Sequence, residues 1–102
     1  MVESVQSIES AFLVVRASAA EAMDGDAAAK DRAFQDIFVL NNEIGKLARL
    51  SPRTMGRMRE LQGWVNLITV ALKHGKRKEL RDGLTATAKS IRALKKDFSA
   101  PP

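Results

Sequence analysis

The sequence predicts an all-α fold, a small antiparallel four-helix bundle running up-down-up-down, and three observations carry that prediction. Nowhere do apolar and polar residues alternate over a strand length; apolar residues instead recur at three- and four-residue spacing. Turn and cap signals at Asp24-Gly25-Asp26, Leu50-Ser51-Pro52 and His74-Gly75 divide the chain into four helical segments. The links are short, and short links make successive helices antiparallel neighbours. At 102 residues the chain is one domain with one modest core, covering 1–98, and Ser99-Ala100-Pro101-Pro102 reads as a frayed tail.

The first helix is expected from about Ser4 to Met23, with Val5, Ile8, Phe12, Val15, Ala19, Ala22 and Met23 as its core face. Leu13 and Val14 fall outside that stripe and are candidates for a protein interface. Asp24-Gly25-Asp26 is a turn in which glycine supplies positive φ and Asp26 caps a second helix starting near Ala27. That helix carries a stripe of Phe34, Ile37, Phe38, Asn41, Ile44, Gly45 and Ala48, widened by Ala33, Leu40 and Leu47. Asn41 in mid-stripe reads either as a buried amide that fixes helix register or as a ligand or partner contact.

Ser51 and Pro52 open the third helix, the serine as a hydroxyl cap and the proline at the first helical position, where no N–H is needed. Its expected core face is Met55, Met58, Leu61, Val65, Ile68 and Leu72. Trp64, Leu67 and Val70 carry apolar surface round the rest of the helix, as in a central helix or one shared with a second copy of the chain. Gly56 and Gly63 lie seven residues apart, each costing about 1 kcal/mol of helix propensity. Close approach of another helix is the expected compensation, and a ligand cleft the alternative. Lys73-His74-Gly75 reads as a last turn with cations at the carbonyl end and a glycine stop.

The fourth helix, from about Lys76 to Phe98, has the cleanest pattern. Leu80, Leu84, Thr87, Ala88, Ile91, Leu94 and Phe98 make one face, and Lys78, Arg81, Thr85, Lys89, Arg92 and Lys96 line the opposite one. At 1.5 Å per residue the basic stripe runs for about 27 Å along the helix. The net charge of +5 conceals a division. Residues 1–45 hold three basic residues against eight acidic, a balance of −5, and residues 46–102 hold fourteen against four, a balance of +10. The basic half calls for an anionic partner unless the acidic half neutralises it within the fold.

The composition removes most chemistry. Without cysteine there are no disulfides, thiolate metal sites or cysteine nucleophiles. The single histidine, His74, is expected at a helix end; in phosphoacceptor bundles the glycine comes about a turn after the histidine, whereas Gly75 follows His74 directly. Asp24, Asp26 and Asp31 lack the alternating oxygens and closing glutamate of an EF-hand. No phosphate loop, dinucleotide fingerprint or nucleophile elbow occurs. The chain is therefore expected to be no enzyme, with no cofactor and no metal. Glu3 and Glu9 occupy the place of a signal peptide's positive charge, and the longest apolar run, Trp64 to Leu72, falls far short of the roughly 20 residues of a spanning helix. This predicts a cytoplasmic protein without membrane insertion.

One further pattern concerns the segment Ile44-Gly45-Lys46-Leu47-Ala48-Arg49-Leu50-Ser51-Pro52-Arg53-Thr54-Met55-Gly56-Arg57-Met58-Arg59-Glu60-Leu61. It resembles the helix-turn-helix of MerR-type regulators, which read I-G-x-L-A, a turn, then S-x-R-T and a basic recognition helix; the Thr-Gly of that turn is missing here. The resemblance implies that Arg53, Thr54 and Arg57 face DNA. Two functions are thus expected of the sequence. The first is a non-enzymatic protein-interaction module, a small adaptor, chaperone or regulator with a basic face formed by Lys78, Arg81, Lys89, Arg92 and Lys96, and a protein interface at Leu13, Val14, Trp64, Leu67 and Val70. The alternative is a nucleic-acid-binding protein using the fourth helix together with Arg53 and Arg57. A homodimer through the third helix is compatible with either.

Overall fold

The computed structural model describes residues 2–99, which fold into α1 (Val2–Met23), α2 (Ala27–Leu50), α3 (Met55–His74) and α4 (Arg77–Ser99), with a 3-10 turn at Pro52–Thr54. The predicted tail, apart from Ser99 in α4, lies outside the described residues.

Two of the three junctions follow the expected chemistry. Gly25 takes φ 100°, and the Asp26 carboxylate accepts a hydrogen bond from the Ala29 N–H at 3.1 Å, capping α2. Gly75 takes φ 65° at the end of α3, where its N–H donates to Leu72 O at 3.3 Å and the Lys76 N–H to Ala71 O at 2.9 Å. The middle junction differs. Ser51 is buried and makes no side-chain cap; its N–H closes α2 on Leu47 O at 2.9 Å, and its carbonyl accepts from the Thr54 N–H and hydroxyl at 3.0 and 2.7 Å. A 3-10 turn thus takes the place of the expected first turn of α3, because backbone bonds already use the groups a serine cap would serve.

Within the bundle α1 packs most extensively on α2, and α3 on α4; contacts between α2 and α3 and between α1 and α4 close the ring. The α1–α4 seam is pinned at both ends. Lys95 Nζ lies 3.1 Å from Glu9 Oε2, and the Arg77 guanidinium donates to Met23 O at 2.7 Å, satisfying a carbonyl at the open end of α1. Those two ties require α1 and α4 to run antiparallel. The assembly is a rod of 47 × 20 × 17 Å.

Its interior is aliphatic. Ile8, Val15, Leu40, Ile44, Leu47, Met58, Leu61, Val65, Ile68, Leu72 and Leu94 are fully enclosed, and burial of each such side chain contributes about 1.5–3 kcal/mol relative to exposure. The Thr87 hydroxyl, also in the core, donates to Gly83 O at 2.7 Å, and the Ser18 hydroxyl reaches Asp36 Oδ2 at 2.8 Å between α1 and α2. Among the described residues no enclosed side-chain polar atom lacks a partner, so these polar groups add little cost to burial.

Three expectations about packing are corrected. In α2 the buried line is Ala29, Ala33, Ile37, Leu40, Ile44 and Leu47; the stripe is rotated toward α1, leaving Phe38 66 % exposed and Asn41 only half-buried. In α3 Met55 is exposed, since it follows the 3-10 turn directly and points away from the core line of Met58, Leu61 and Val65. The close helix approach is not at Gly56 or Gly63, around which a Cβ would meet nothing within 4 Å; it is at buried Gly83, where a Cβ would stand 3.0 Å from Ile68 Cγ1 and 3.5 Å from Ile68 N. The backbone of α4 comes up against Ile68 of α3 there because α4 has no side chain at the crossing.

Candidate anion-binding face

The core positions of α4 fix where its charges go. With Leu80, Thr87, Ile91 and Leu94 buried, helical periodicity turns Lys78, Arg81, Lys89, Arg92 and Lys96 outward, and all five are exposed. None of the five forms a salt bridge among the described residues. Two neighbouring cations off the stripe are paired: Lys95 with Glu9, and Arg57 with Asp97 at 3.1 Å and Glu60 at 3.3 Å.

Internal neutralisation does not reach the stripe. Glu21 and Asp26 pair with Arg32, Glu43 pairs with Lys46, and Asp36 accepts from Ser18. Most acids of α1 and α2 with a printed partner are thus engaged within the α1–α2 hairpin, and Lys95–Glu9 is, among the described residues, the ion pair that joins α1 to α4. Five like charges on one helix repel one another at a cost that a bound polyanion relieves.

At the start of α3 the arrangement differs from the one the helix-turn-helix resemblance implies. Thr54 is buried and donates to Ser51 O, so it faces no ligand. Arg57 is half-buried and engaged; its hydrogen bond to Asp97 is the main cause that raises its pKa above the ordinary arginine value, with the charges of Asp97 and Glu60 adding to it against partial desolvation. Arg53 is exposed and makes no salt bridge among the described residues. Of the three residues, only Arg53 is available as a free cation.

Trp64 stands 37 % exposed on the α3–α4 seam, in a groove of about 250 Å³ with Lys89, Ser90, Ala86 and Ala93 on its α4 side. A second groove of about 510 Å³ adjoins it, from Arg53 and Gly56 to Asp97 and Phe98, and the two share Arg57 and Glu60. The other expected interface residues are not brought together with Trp64 in this groove. Leu67 is half-buried, and Val70 is 52 % exposed. Leu13 and Val14 are both exposed, but only Val14 lines the shallow groove between α1 and α2, opposite Val39.

Sequence reasoning missed Phe38, Val39 and Leu50 as exposed apolar residues and Gly83 as the helix crossing. The glycine was legible in principle, one turn before Thr87 on a helix otherwise free of glycine. His74 is exposed at the end of α3, and among the described residues no group of three or more His, Cys, Asp or Glu is placed to hold a metal ion. No helix of the described residues is long and apolar enough to cross a membrane. Comparison of the chain with protein-family models, curated proteins and solved structures finds no match.

Proposed function

We propose that this protein is a non-enzymatic interaction module, located in the cytoplasm, that receives an anionic protein partner on the outer face of α4. The observation that carries this reading is the line of five exposed cations, Lys78, Arg81, Lys89, Arg92 and Lys96, with no acid among the described residues paired to any of them. Hydrophobic packing accounts for the inner face of α4 and leaves this charge unexplained; an acidic surface or segment of another protein is the complement it fits. A protein partner is preferred to nucleic acid because the second element a DNA reader would use, the start of α3, has Thr54 buried and Arg57 held by two carboxylates.

The test is binding of polyglutamate and of a labelled DNA duplex, each at low and at physiological salt, to the wild type and to a Lys89→Gln, Arg92→Gln, Lys96→Gln triple variant. The reading expects salt-sensitive polyglutamate binding that the triple variant loses while its helical signal is unchanged. Undiminished polyglutamate binding by the variant would sink it. Tight duplex binding, weakening with salt by about 0.9 log units per phosphate contact for each tenfold rise in salt, would assign the stripe to nucleic acid instead.

A further inference from the structure

The α3–α4 seam beside the basic stripe has a shape and a charge pattern of its own. Its two grooves share Arg57 and Glu60, so they form one channel. From Gly56 to Trp64 the channel follows α3 for about 12 Å, a little over two turns of helix, and the 3-10 turn before it carries Arg53. Trp64, Ala86 and Ala93 supply apolar floor near one end, where Lys89 stands at the edge, and Arg53 stands at the other end. Both of these cations are exposed and outside any salt bridge of the described residues.

The middle of the channel carries the opposite sign. Glu60 and Asp97 share one arginine, Arg57, so the central lining bears two carboxylates against one cation. A nucleic-acid strand laid along the channel would bring phosphates against these acids. A folded peptide segment instead sets acidic side chains at the two ends and an apolar face on the tryptophan, which matches the pattern throughout. The outer side of α3 beside the channel is bare: Gly56, which lines it, and Gly63, next to Trp64, leave the space where a Cβ would stand empty to 4 Å. Among the described residues no close approach to these glycines offsets their loss of helix propensity, and their seven-residue spacing is the repeat at which one helix meets another.

We infer that the α3–α4 channel receives an amphipathic helix of a protein partner, its apolar face on Trp64 and its acidic flanks at Lys89 and Arg53. This rests on the reading of the protein as an interaction module and goes further in naming the partner's secondary structure and the place where its side chains insert.

Trp64 is the only tryptophan of the chain, so its emission reports the channel directly. The probe is a synthetic amphipathic helical peptide with leucines at three- and four-residue spacing and glutamates on both flanks; its scrambled isomer and a single-stranded oligonucleotide are the controls. The peptide is expected to shift Trp64 emission to the blue, saturably, and neither control to do so. Gly56→Leu, at a lining position with open space around it, should weaken peptide binding at least tenfold while its thermal midpoint is unchanged or raised, which separates a blocked surface from an unfolded protein. An unshifted emission with the peptide, under conditions where polyglutamate still binds α4, overturns the channel and leaves the proposed function standing. Absence of both interactions overturns both. A shift with the oligonucleotide assigns the channel to nucleic acid, and a shift that grows with the protein's own concentration assigns it to a second copy of this chain; either result overturns the inference.

Discussion

Replacing glycine by alanine at positions 56, 63 and 83 makes the same chemical change on exposed and buried helix surface, and the structure assigns it opposite signs. In a helix interior the substitution gains about 1 kcal/mol of propensity. At both Gly56 and Gly63 the new methyl meets nothing within 4 Å; Gly63, in the interior of α3, keeps the whole gain, and Gly56, the second residue of that helix, keeps a smaller one. At Gly83 the methyl would sit 3.0 Å from Ile68 Cγ1 and 3.6 Å from Leu67 Cγ. Ile68 is fully buried and β-branched, with essentially one side-chain rotamer open to it in a helix, so relief must come from parting α3 and α4. Overpacking of that kind costs about 1–3 kcal/mol, which leaves Gly83→Ala less stable by about 1 kcal/mol after the propensity gain. For a domain of this size each kcal/mol moves the midpoint by about 4–8 °C. Thermal unfolding followed by circular dichroism should therefore rank Gly56→Ala and Gly63→Ala above the wild type and Gly83→Ala below it. A rise for Gly83→Ala equal to that of Gly63→Ala would refute the account of the helix crossing.

Other perturbations test other contacts of the fold. Asp26→Ala removes the carboxylate that caps α2 and should lower stability by about 1 kcal/mol in urea titration, and Asp26→Asn should recover most of it. Leu94→Ala opens a cavity at a fully enclosed site and should cost about 2–5 kcal/mol by the same measurement. Glu9→Gln breaks an ion pair whose two side chains are each more than a third exposed; a double-mutant cycle with Lys95→Met should give a coupling below about 1 kcal/mol, weakened further by salt.

Much of the fold was legible because its signals are local. The Asp-Gly-Asp and His-Gly junctions carry their own backbone chemistry, so α1, α2 and α3 end or begin where those residues require. The face of α4 was legible for a different reason: Leu80, Thr87, Ile91 and Leu94 compete with no second apolar stripe, and the position of the basic residues then follows. In α2 two stripes compete. Phe34, Phe38 and Asn41 are larger and better spaced to the eye than Ala29 and Ala33, but the small residues admit α1 closely, and that tertiary contact decides which face turns inward. The candidate site was legible as charge and illegible as shape. The freedom of the stripe depends on which acids are engaged elsewhere, such as Glu21 by Arg32, and the groove at Trp64 depends on Ala86 and Lys89 from another helix; neither follows from spacing along one segment.

The division of charge between the halves of the chain has a kinetic consequence. α1 with α2, and α3 with α4, are hairpins of sequential helices whose closure needs only short loops, so each can form early and quickly. The first hairpin is acidic in balance and the second basic, so the late step of folding is an encounter between oppositely charged bodies tethered by Ser51–Thr54. Their attraction acts before the apolar faces touch and is screened by salt, while the packed product holds few exposed ion pairs across the joint. Added salt should thus slow refolding and leave unfolding nearly unchanged, so the charge imbalance that equips α4 for a partner also guides the chain's two halves onto each other.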